Sequence, residues 1–105
     1  MLRITEKKEE GKIILEMEGR IDTNTGKELQ AKILNCFQKS LHLILDMEQV
    51  DYVSSAGLRT LLIGEKTAKA KNGSMLIVHV QPGVREVFAM SGFNRVLQIA
   101  EDDIL

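Results

Sequence analysis

The sequence predicts an α/β domain in which helices pack on a mixed β-sheet of four to five strands. Two observations carry this expectation. The first 20 residues hold two short segments in which apolar residues recur with a period of two, the mark of a half-buried hairpin. From Leu29 onward, apolar faces at spacings of three and four alternate with short, nearly all-apolar runs. A hairpin followed by alternating helices and strands implies an α/β core with a mixed sheet. At 105 residues the chain is expected to form one domain, residues 1–105.

The elements follow in order. Leu2 and Ile4 alternate with Arg3 and Thr5 in a first strand, and Glu9-Glu10-Gly11 reads as a turn. Ile13, Leu15 and Met17 alternate with Ile14, Glu16 and Glu18 in a second strand, which Gly19 is expected to end. Asp22, Thr23, Asn24 and Thr25 are all candidate N-caps, and Thr25 with Glu28 fits a capping box. Leu29, Ile33, Cys36 and Phe37 then define one face of a helix. Leu41 to Asp46 reads as a strand buried on both faces, because it is short and almost wholly apolar.

Ser54 and Ser55 precede a second helical stripe made of Leu58, Leu61, Leu62, Glu65 and Ala68, with Asn72-Gly73 as its stop. Met75 to Val80 is the next strand, with His79 inside it. Pro82 suits the first turn of a third helix carrying Val84, Val87 and Phe88, which Gly92 terminates. Val96, Leu97 and Ile99 form a last short strand. Right-handed crossovers put the two long helices on one face of the sheet or on opposite faces, depending on a strand order that pattern does not encode.

Composition narrows the function. A formal net charge of −1, with acids and bases mixed along the chain, gives no basic patch for nucleic acid. Aromatics make up 4% of residues, too few for base-stacking platforms. No apolar run approaches the ~20 residues that cross a bilayer, and the first dozen residues do not resemble a signal peptide. The single Cys36 excludes an intrachain disulfide, and a reducing cytoplasm fits this.

Catalytic constellations are missing from the sequence. His42 and His79 fall in predicted strands with no ligand cluster near them in sequence, so both read as structural. Cys36 lies on the apolar helical face and reads as core packing. No phosphate loop, dinucleotide fingerprint or CxxC is present. Asp46, Glu48 and Asp51 are acids near a strand end, a pattern that can bind a divalent cation but more commonly caps a turn in solvent. No catalytic residue, resident metal or cofactor is therefore predicted.

One segment stands apart: Asp46, then Tyr52-Val53, then Ser54-Ser55-Ala56-Gly57-Leu58-Arg59 leading into a helix. A serine there caps the helix, satisfying a free backbone N–H. The same helix end carries partial positive charge and unpaired donors, so it can hold a phosphate. Gly57 is expected to keep bulk low where a partner's backbone must come close.

This segment resembles the signature of STAS domains, above all the bacterial anti-sigma-factor antagonists. In that family a buried strand ending in Asp leads through an apolar or aromatic pair to D-S-[ST/A]-G-L and a helix. The family's phosphorylated serine lies two positions before the Gly, which falls on Ser55. Ser54 stands where the family often has Asp, which removes a nearby carboxylate. Gly19-Arg20-Ile21-Asp22 is similar to the family's G-x-[LI]-D, which lies beside the phosphorylation loop. Pro82-Gly83-Val84-Arg85 and Met90-Ser91-Gly92-Phe93 resemble its later helix and turn. The family's final helix is matched only by Glu101-Asp102-Asp103-Ile104-Leu105.

The resemblance implies a binding protein, not an enzyme. Unphosphorylated, such a domain binds an anti-sigma factor, a serine kinase of the histidine-kinase-like ATPase type, and so frees a sigma factor for transcription. The kinase phosphorylates the serine and the complex dissociates; a serine phosphatase restores the binding form. ATP belongs to the kinase. The implied partner surface is Asp22, Thr23, Ser54, Ser55, Ala56, Gly57, Leu58 and Arg59, with neither nucleic acid nor membrane as a partner. STAS domains also occur as cytoplasmic subunits of lipid-trafficking ABC transporters, which is the alternative reading.

Overall fold

A computed structural model describes residues 1–100. The element order is β1 (Leu2–Glu9), β2 (Lys12–Ile21), α1 (Thr23–Lys39), β3 (His42–Val53), α2 (Ser55–Ala70), β4 (Ser74–Val78), α3 (Pro82–Ser91), a 3-10 turn (Phe93–Arg95) and β5 (Gln98–Ile99). The expected start of a final helix at 101–105 lies outside the described residues. Among the described residues no helix is long and apolar enough to cross a membrane.

The five described strands form one sheet in the order β1-β2-β3-β4-β5. The first pair is antiparallel, and the remaining pairs are parallel. This is the expected mixed sheet with an N-terminal hairpin. It also settles where the helices go. Each crossover steps one strand in the same direction, so right-handedness places every helix on the same face. Side-chain burial agrees: Ile13, Leu15 and Met17 of β2 and Leu43, Leu45 and Met47 of β3 are buried beneath that layer. They join Leu29, Ile33, Cys36 and Phe37 of α1, Leu58, Leu61 and Ala68 of α2, and Val84 and Phe88 of α3 in one core.

The opposite face is uncovered, which corrects one expectation. Ile44 is only half-buried and His42 is exposed, so the apolar run 41–46 is covered on one side alone. Several boundaries also move. Gly19 does not end β2. It adopts φ +124°, outside the reach of most L-residues, and the strand bends there and continues to Ile21. The β2–β3 register shifts between Glu16 and Glu18 and again between Gly19 and Arg20. At each shift β3 advances one residue more than β2, so β3 carries two bulges and runs on to Val53.

The first helix is capped by Asp22, not Thr25. The Asp22 carboxylate accepts from the backbone N–H of Thr25, and the Thr25 hydroxyl accepts from the N–H of Asp22. The second helix begins at Ser55, and β4 stops at Val78. His79 therefore lies just beyond the strand, in a left-handed conformation at φ 58°.

Two glutamates packed against the helical layer have pKa values shifted in opposite directions. Glu6 of β1 meets Lys32 at 2.8 Å and Lys39 at 2.9 Å, tying the hairpin to α1. These two lysines hold its carboxyl down at about 2. Glu65 sits on the inward stripe of α2, 3% exposed. One of its carboxylate oxygens is the only buried side-chain oxygen without a hydrogen-bond partner among the described residues. Burial raises its pKa above the usual carboxylate range, against the weaker pull of Lys69.

A raised folded-state pKa means the folded chain holds the proton more tightly than the unfolded chain. That contribution is fully present below the ordinary carboxylate pKa and is lost as pH rises through the folded value. Glu65→Met is thus expected to raise stability at neutral pH by about 1 kcal/mol or more. The gain should shrink in acid, as read from denaturant midpoints at several pH values. No gain at neutral pH would mean the carboxylate has a partner that this reading misses.

Candidate functional site

The C-terminal ends of β2 and β3 bring two helix N-termini side by side. Ile21 ends β2 and Val53 ends β3, and the Ser54 N–H donates to the Ile21 carbonyl at 2.9 Å. Asp22 and Ser54 then cap α1 and α2 respectively. The helices touch near these ends, with the Thr60 hydroxyl in the second turn of α2 donating to the Gly26 carbonyl of α1 at 3.2 Å. Helix dipoles and unpaired N–H groups from two elements thus converge on one end of the sheet, a setting that favours anions.

The two serines have different tasks. Ser54 Oγ accepts from the Gly57 N–H at 3.1 Å, and the Ser54 carbonyl accepts from the Leu58 N–H at 2.9 Å. Ser55 is the first helical residue and is exposed. The cap is therefore independent of the Ser55 side chain. Arg59, also exposed, lies one turn further along the helix, and residues four apart share a helical face. Ser54→Ala is expected to cost about 1 kcal/mol of stability through loss of the cap, and Ser54→Asp to restore it. Chemical denaturation checks both; an unchanged midpoint for Ser54→Ala would show that the cap contributes nothing.

The other predicted partner residues divide by exposure. Thr23 is exposed, and Asp22 and Ala56 are half-buried. The Asp22 carboxylate is committed to its helix, and the Thr25 backbone N–H is the main cause of its lowered pKa. Gly57 and Leu58 turn inward and are buried. A Cβ on Gly57 would stand 2.7 Å from the Ile21 carbonyl oxygen and 3.0 Å from a Val53 methyl. The backbone that comes close to Gly57 is the chain's own, so its role is to seat α2 on the strand ends.

Two exposed residues beside the loop were missed as site residues by sequence reasoning. Arg20 and Tyr52 are register partners across β2 and β3, and the guanidinium stands 4.2 Å from the ring centroid. The pair makes a cationic and aromatic shelf next to the α2 N-terminus. The available signal was Tyr52 itself, the chain's single tyrosine, placed among polar neighbours.

Comparison with known proteins identifies the family and the fold. A match to the STAS domain family spans residues 3–102. A Bordetella bronchiseptica protein named as an anti-sigma factor antagonist, BtrV, is 31% identical over 100 residues, covering 94% of this chain and 86% of its own. The structure of a Thermotoga maritima protein described in the same terms superposes with a TM-score of 0.86 at 14% identity, covering 94% of this chain and 86% of that one. The anti-sigma factor antagonist SpoIIAA in its unphosphorylated form gives 0.78 at 19% identity, covering 95% and 90%. The phosphorylated form of SpoIIAA, from Bacillus, gives 0.72 at 20% identity, covering 95% and 93%. With a family match over nearly its whole length, a curated relative above 30% identity and the same sheet and helix layout, this chain belongs to the STAS domain family.

Proposed function

We propose that the chain is an anti-sigma-factor antagonist, a cytoplasmic binding protein switched off by phosphorylation of Ser55. In the unphosphorylated form it binds an anti-sigma factor that is also a serine kinase of the histidine-kinase-like ATPase type. A serine phosphatase returns it to the binding form. The chain is substrate and ligand in this cycle and performs no turnover of its own.

The observation that carries this reading is the division of labour at the start of α2. Ser54 holds the cap, which leaves Ser55 exposed at a helix N-terminus with Arg59 one turn away. A phosphate adds ≈ −1.5 to −2 charge at neutral pH. The helix end and Arg59 would accept that charge without unfolding the domain. The same charge alters the surface formed by Thr23, Ser55, Arg59, Arg20 and Tyr52, where the partner would sit. The resemblance of Ser54-Ser55-Ala56-Gly57-Leu58 to the family signature, and relatives named as anti-sigma factor antagonists, support the same assignment.

The test is mass spectrometry of the chain after incubation with the cognate kinase and ATP. Phosphate is expected on Ser55, and Ser54→Ala should still be phosphorylated. Phosphate on Ser54 alone would displace the site by one residue. A stable kinase complex without phosphate on either serine would overturn the switch.

A further inference from the structure

The uncovered face of the sheet carries a second cluster with its own chemistry. Asp46 of β3, Glu48 two residues on, and His79 beyond β4 bring one imidazole nitrogen and two carboxylates together. Their ligating atoms all lie within 4.8 Å of one another. His79 Nδ1 is 3.0 Å from Asp46 Oδ1. Two ligands at ~2.1 Å from one tetrahedral ion stand about 3.4 Å apart, so the hydrogen bond that now joins this pair would have to open by only a few tenths of an ångström, with its proton released, for both atoms to bind one ion.

The cluster is held by links within β3 and between β3 and the turn after β4. Within β3 the Glu48 N–H donates to Asp46 Oδ1 at 3.1 Å. The Gln81 side-chain amide donates to the Glu48 carbonyl at 2.7 Å and pins the turn after β4 to β3. His79 keeps a left-handed backbone, uncommon for a residue with a Cβ, and that turn sets its ring beside Asp46. Asp46 and His79 also line a concavity of about 240 Å³ whose floor is Ile14, Ile44 and Val78. Glu16, opposite Asp46 in the register, lines the same concavity. There is room for an ion with its remaining water ligands.

We infer that Asp46, Glu48 and His79 form a binding site for one divalent transition ion of the Zn²⁺ class. One nitrogen with carboxylate oxygens suits a borderline ion and disfavours the all-oxygen preference of Mg²⁺ and Ca²⁺. The open positions are left to water or to a partner's side chain. The site stands on the face of the sheet away from the helices, so its occupancy is separate from the serine loop.

The test uses the tag-free chain, stripped with chelator and titrated with Zn²⁺ by calorimetry, and with Co²⁺ followed by visible absorption. Saturable uptake of one ion per chain is expected. Affinity should fall at least about tenfold in both His79→Asn and Glu48→Gln. Asn tolerates the left-handed backbone and Glu48 is exposed, so neither change should disturb folding. His42→Asn and Ser55→Asp should bind Zn²⁺ as the parent does. Absence of saturable uptake at millimolar Zn²⁺, or undiminished uptake by His79→Asn and Glu48→Gln, would overturn the site and leave the serine switch untouched.

Discussion

Ser55→Asp is expected to weaken binding to the proposed anti-sigma kinase by at least about tenfold, equivalent to ~1.4 kcal/mol, with no loss of stability. The two halves of this expectation have one physical origin. Within the chain, a carboxylate at the first helical position meets the positive end of the α2 dipole and lies on the same face as Arg59, so the fold tolerates it. Across an interface, the new anion must be desolvated against a surface shaped for a hydroxyl. An unpaired charge buried there costs several kcal/mol. Asp carries less charge than phosphate, so the full modification should act more strongly still.

Ser55→Ala should bind as the parent does but resist release when ATP is added. Calorimetric titration with purified kinase gives the affinities, and thermal unfolding gives the stability. Unchanged affinity for Ser55→Asp would place the partner surface elsewhere on the domain.

Gly57→Ala should lower stability by about 1–3 kcal/mol, a fall of at least roughly 4 °C in Tm for a domain of this size. By helix propensity alone the substitution should stabilise, since Ala is favoured over Gly by about 1 kcal/mol in a helix interior. Sterics decide against it. The added methyl would meet the Ile21 carbonyl oxygen at 2.7 Å and an Ile21 methyl at 2.8 Å, both on the strand that α2 rests upon. To make room, the first turn of α2 must lift. That would strain the bond from the Ser54 N–H to the Ile21 carbonyl and displace Ser55. Gly83→Ala in α3 is the matched control, because nothing lies within 4 Å of its added Cβ. It should be neutral or mildly stabilising. Equal melting temperatures for Gly57→Ala and the parent would show that the packing at this junction is looser than the distances imply.

The helices were legible because their inward faces keep one period throughout. Leu29, Ile33, Cys36 and Phe37 are all buried, as their spacing requires. The second half of β3 was not legible. Its buried residues are Met47, Val50 and Val53, three apart, because the bulges insert extra residues into an alternating pattern. A reader looking for a period of two sees only polar loop between Asp46 and Ser54.

The serine loop was visible as a short contiguous motif before a helix. The assignment of cap to Ser54 and exposure to Ser55 needed the backbone. The Arg20–Tyr52 shelf and the Asp46–Glu48–His79 cluster join residues about 30 positions apart. Only the strand order brings them together, and that order is what periodicity leaves open. The sequence reading of His79 therefore could not see Asp46 and Glu48, which the fold brings within 4.8 Å of it.

The agreement between strand order and sequence order has a consequence for how the chain is assembled. Each strand pairs with the one made just before it, so no strand waits for a distant segment to be synthesised. The β1–β2 hairpin is complete once the first 21 residues are available, and each later helix and strand can dock on an edge already in place. Loop-closure entropy is then met in steps of about 30 residues, not in one long closure. Parallel pairing is slow because each crossover must close before its contacts form, and pairing only chain neighbours keeps every closure as short as a parallel sheet allows. The growing edge at each stage is the one the next segment covers, while the outer edge of β1 stays open throughout, and unpaired strand edges are what invite association between chains.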